Sequence, residues 1–146
     1  MPRAITPEEA LDAGQLTLEH ASAFADRFAS KGVAAESIAK ALERFRVQQA
    51  PALFERFARN HTWFTPTLIA TKSAIHLGDH QSDVRDKYVS ASCKKITEEL
   101  LKRPSYQSFF TADSVQRQQR EFAQLPPLVN LMHQSGVGLL AGTNFC

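Results

Sequence analysis

Apolar and polar positions alternate at Leu16-Thr17-Leu18, and Glu19-His20 follows at the end of that run. A period of two predicts a short strand whose end carries an acid and a histidine. A second β-rich stretch, Trp63-Phe64-Thr65-Pro66-Thr67-Leu68, contains a proline that marks the strand's end or an irregular edge. Residues 137–141 form an unbroken apolar run bounded by glycines, the pattern of a strand covered on both faces. Gly142-Thr143-Asn144 leaves that run at its carboxyl end, where parallel α/β sheets place their chemistry.

Between these runs the apolar positions recur at helical spacing. Thr6-Pro7-Glu8-Glu9 is a helix start: Thr6 caps, Pro7 suits the first turn, and Glu9 reaches back as the second half of a capping box. That helix covers residues 7–13 and Gly14 ends it. A second helix covers 24–31 and closes at Gly32. Residues 35–59 keep one apolar stripe through Ile38, Leu42, Phe45, Leu53, Phe54 and Phe57, with Pro51 kinking or splitting it. Arg44, Arg46, Arg56 and Arg59 lie off the stripe and read as a solvated face. Further helices are predicted over 84–101, 116–125 and from Pro126 to Gly136, with an irregular aromatic stretch over 105–111.

Each predicted strand follows a helix, so the strands are expected to pair in parallel through crossovers. Three such strands cannot cover themselves, and a complete (β/α)8 barrel needs about 250 residues. The expected fold is therefore α/β: a partial (β/α)8 TIM-barrel fragment equivalent to strands 6–8, helix-rich, with three short parallel strands. Residues 1–146 read as one barrel-like domain with a helical insertion at about 69–125. A functional strand end so close to Cys146 suggests a piece of something larger.

Composition adds exclusions. A net charge of +2 argues for neither nucleic acid nor a membrane surface as partner. No apolar run approaches the roughly 20 residues of a membrane span, and the start of the chain has no signal-peptide core, so a cytoplasmic location is expected. Cys93 and Cys146 form no motif, consistent with a reduced compartment. The ten phenylalanines fall mostly at helical spacing and are assigned to a core. His76-Leu77-Gly78-Asp79-His80 looks metal-like, but its glycine and the want of a third nearby ligand favour an exposed turn. Trp63 is read as a core or interface anchor. His61 and His133, near helix ends, are given no catalytic role. His20 is either a rim histidine satisfied by a carbonyl or a ligand.

Ala10-Leu11-Asp12-Ala13-Gly14-Gln15-Leu16-Thr17-Leu18-Glu19-His20 resembles the amidohydrolase superfamily segment that runs through helix 5 into strand 6. Trp63-Phe64-Thr65-Pro66-Thr67-Leu68 is similar to that family's strand 7, with its Pro-Thr-Leu signature. The stretch from His133 to Asn144 resembles strand 8, which normally ends Gly-Thr-Asp. The nearest subgroup by these motifs is the imidazolonepropionase and Xaa-Pro dipeptidase-like amidohydrolases.

The resemblance implies a metal-dependent hydrolase of carbon–nitrogen bonds in amides or cyclic amides. Its substrate would be a small amide or dipeptide-like molecule, its cofactor a divalent metal, zinc first. His20 would be the metal ligand or face the substrate carbonyl. Asn144 stands where the family's catalytic aspartate binds metal and acts as general base; an amide is not basic and cannot take a proton from metal-bound water. The family's remaining metal ligands would precede Met1, so the chain alone is expected to be inactive. The alternatives are a catalytically silent helical interaction module, whose open sheet edges would favour a homo-oligomer, or a small-molecule binding protein.

Overall fold

The computed structural model describes residues 5–76 and 87–142. Nine helices and two strands are found among them: α1 (Pro7–Asp12), β1 (Thr17–Glu19), α2 (Ala23–Ser30), α3 (Ile38–Gln48), α4 (Ala50–Arg59), β2 (Trp63–Thr65), α5 (Leu68–Ile75), α6 (Ala91–Leu101), α7 (Pro104–Gln107), α8 (Ala112–Phe122) and α9 (Leu125–Gln134). The capping box at Thr6 and Glu9 is present in both directions. The long stripe over 35–59 is two helices. The chain breaks at Gln49, and Pro51 sits in the first turn of α4, where its missing N–H costs no helical bond. The stretch over 105–111, expected to be irregular, is helical in α7 and in a 3-10 turn at Ser108–Phe110.

β1 and β2 pair in parallel, with Leu18 opposite Phe64. The expected third strand is absent. The segment after α9 turns at Gly136, whose φ of 80° suits glycine, and then meets β2 only at the bridge between Leu139 and Phe64. The Phe64 N–H donates to Gly138 O at 2.8 Å, and the Leu140 N–H donates to Phe64 O at 2.9 Å. The next rung on this side would need an N–H from residue 66, and Pro66 has none. The described strands thus form one two-stranded parallel sheet that is not closed into a barrel, which corrects the reading as a three-stranded TIM-barrel fragment.

Helices cover one sheet face. Phe24, Phe45, Phe54, Phe57 and Phe64 are each at most 2% exposed and meet Leu125, Leu128 and Met132 of α9 in one core. Alternation sends Leu18 and Phe64 into that core, while Thr17 and Trp63 face away and stay exposed. Trp63 is therefore a half-exposed platform rather than a core residue. A methyl group on Gly138 would lie 2.5 Å from its ring, so the backbone there approaches as only glycine allows.

The arginine face is not uniformly solvated: Arg56 pairs with Asp12, and the Nε of Arg46 is buried. Cys93 is buried. No helix among the described residues is long and apolar enough to cross a membrane.

Candidate functional site

The carboxyl ends of β1 and β2 and the segment leading to Gly142 converge on one rim. His20 follows β1 directly, and its N–H donates to Thr65 O at 3.0 Å, which fixes where the residue leaves the sheet. Ala21 continues the pairing by donating to Pro66 O. Having spent its N–H on the sheet, His20 turns with φ of 69°, in the left-handed region. Thr67, two residues beyond β2, is also left-handed at φ 47°. A β-branched residue there is a conformational outlier.

These two residues meet. His20 Nδ1 and Thr67 Oγ1 share a hydrogen bond of 2.9 Å, across 47 positions of sequence. Thr67 is 4% exposed, so the ring is anchored on a buried hydroxyl. With Nδ1 engaged, Nε2 is the nitrogen left to the surroundings. Glu19 Oε2 stands 3.9 Å from it, an ion-pair distance rather than a hydrogen bond, and the two side chains are 57% and 31% exposed for Glu19 and His20. The arrangement is an oriented imidazole at a solvent-reached rim, with a carboxylate beside it and neutral hydroxyls beneath. An imidazole held this way has one ring nitrogen able to accept or donate a hydrogen bond.

Gly142 closes the rim. A methyl group there would overlap the Thr65 side chain and come within 3.9 Å of that of Thr67. The backbone therefore passes directly over the two threonines, which is the role the Gly-Thr-Asn motif conceals. Asn144, the expected catalytic position, lies outside the described residues, as does most of the His76–His80 cluster. His76 itself is exposed at the end of α5, and His61 occupies the left-handed turn after α4.

The described donor set does not fit the implied metal. His20 and Glu19 are one imidazole and one carboxylate, and among the described residues no three His, Cys, Asp or Glu side chains are grouped to hold an ion. A catalytic zinc takes about three protein ligands. No step through a metal follows from this arrangement. Thr67 belongs to the Pro-Thr-Leu stretch, and nothing in that motif marks it as the partner of His20. The only local signal was its place just after a proline that ends a strand.

Comparison with family models, curated proteins and solved structures gives no match for this chain.

Proposed function

We propose that the His20–Thr67 rim is the binding site for a small amide or dipeptide-like molecule. On this reading the chain is an amidohydrolase-like protein, of the kind that acts on carbon–nitrogen bonds with a divalent metal, that binds its ligand but does not turn it over alone. The observation that carries the reading is the hydrogen bond between two left-handed, non-glycine residues at adjacent strand ends. Backbone strain of this kind concentrates at ligand sites because surrounding structure must hold it in place. It orients an imidazole that an amide N–H or carbonyl can reach. The asparagine at position 144, where the resemblance expects an aspartate, supports binding without turnover, since an amide is not a base.

The test uses the dipeptide Ala-Pro and the whole chain, with amide and imidazole NMR signals followed during titration. Shifts centred on His20 and Thr67, with the dipeptide recovered intact, are expected. His20→Ala should weaken binding about tenfold, the loss of one hydrogen bond of about 1.4 kcal/mol. Zinc-dependent release of free proline would replace the binding reading with a hydrolytic one. Absence of shifts at both residues would end the assignment of this rim.

A further inference from the structure

A concavity lies away from the rim. A cleft of about 310 Å³ opens between α2, the start of α3 and α8. Its size reaches the range of small-molecule sites. Ala25, Ala29 and Ala35 leave the space empty because none carries more than a methyl, and Ile38 and Phe109 supply apolar walls. Phe109 is held at the mouth because Gln118 Nε2 donates to its carbonyl at 2.8 Å.

Two carboxylates and one guanidinium, Asp26, Glu121 and Arg117, line the same cleft. Glu121 Oε1 is buried and has no hydrogen-bond partner. Arg117 does not supply one: its Nε is 3.9 Å from that oxygen, while its Nη2 donates to Ser114 Oγ at 2.9 Å. Burial pushes the Glu121 carboxyl above its ordinary value, with Asp26 adding to the rise and Arg117 and Arg120 opposing it. A buried acceptor without a donor is costly, and the nearby like charge adds to that cost.

We propose that this cleft binds a small organic ammonium compound with a compact apolar body. Its N–H donates to Glu121 Oε1, its charge lies between Glu121 and Asp26, and its carbon chain covers Ala25, Ala29 and Ile38. The carboxylates outnumber the guanidinium, so a carboxylate ligand is repelled. A neutral donor satisfies the oxygen but leaves the like charge of Asp26 uncompensated, which makes a cation the better occupant.

The probe is n-butylammonium chloride, with sodium butyrate and n-butanol as matched controls, titrated into the whole chain under NMR observation. Butylammonium should shift the amides of Ala25, Ala29, Phe109 and Glu121, and butyrate should not. Glu121→Gln keeps the volume and removes the charge, and should weaken butylammonium about tenfold. Ala29→Leu fills the cleft without altering its charge and should abolish binding, while His20→Ala should leave it unchanged. Circular dichroism establishes that each variant is folded. Equal binding of butyrate and butylammonium, unchanged affinity in Glu121→Gln, or no shifts in the parent chain would each overturn the proposal.

Discussion

His20 sits in backbone that crowds any Cβ against the following carbonyl, at a cost of about 1–2 kcal/mol for an L-residue. Glycine is free of that crowding but loses more chain entropy on folding, about 0.5–1 kcal/mol relative to alanine. The two terms predict an inverted ranking at this position. His20→Gly should be more stable than His20→Ala by about 1 kcal/mol in urea unfolding, whereas glycine is the worse residue at ordinary positions. Both variants lose the hydrogen bond to Thr67, so the difference between them isolates the backbone. Equal stability, or alanine the better, would mean that the left-handed turn is not strained and would remove the strain argument for the rim. The position was readable in sequence as the residue closing a short alternating strand. Its partner was not, because the bond to Thr67 joins positions that only the β1–β2 pairing brings together.

At the scale of the element, local pattern served where it was complete. The two-residue period at 16–18 foretold β1 to within one residue, and Trp63–Thr65 stops where Pro66 removes a donor. The apolar run at 137–141 misled because burial pattern says nothing about a partner's free N–H groups. Its covered residues, Val137 and Leu139, do pack on the core, yet only one rung of pairing forms. The cleft was invisible for a similar reason: Ala25, Ile38 and Glu121 belong to three helices, and Glu121 lies in a polar stretch with no motif.

Helix α8 also carries a pH signature. The Glu121 carboxyl is raised in the fold, so the native state holds its proton more tightly than the unfolded chain does. Its contribution is favourable below the ordinary value of 4.5 and is lost as pH rises through the higher native value. Burial is the largest cause; Asp26 on α2 adds to it, while Arg117 and Arg120 on α8 offset part. Glu121→Gln should therefore match the parent at the acid end of this window and gain stability over it towards neutral pH, read as diverging urea midpoints. Parallel midpoints across the window would show that the carboxyl is not desolvated in the folded state.

The whole molecule is held by phenylalanines, and α2 ties that core to the rim. Phe24 packs against Phe45 of α3, Phe54 of α4 and Phe64 of β2, with ring centroids 5.7, 6.1 and 5.8 Å apart. It is 1% exposed and lies four residues after His20, past Ala21, whose N–H is bonded to Pro66 O. The same side chain thus joins two helices and a strand and fixes the turn from which His20 projects. Truncating such a ring removes its burial and leaves a cavity, typically about 3–5 kcal/mol. A domain of this size has only about 5–15 kcal/mol in hand. Phe24→Ala should bring urea unfolding to a much lower midpoint and weaken Ala-Pro binding, because the rim loses its support before the chain unfolds. Phe109→Ala is the control, since Phe109 is 51% exposed and makes its ring contact with Tyr106 alone among the described aromatics. If the two substitutions lowered the midpoint equally, the aromatic cluster would not be what organises the fold, and His20 would have to be positioned by the sheet alone.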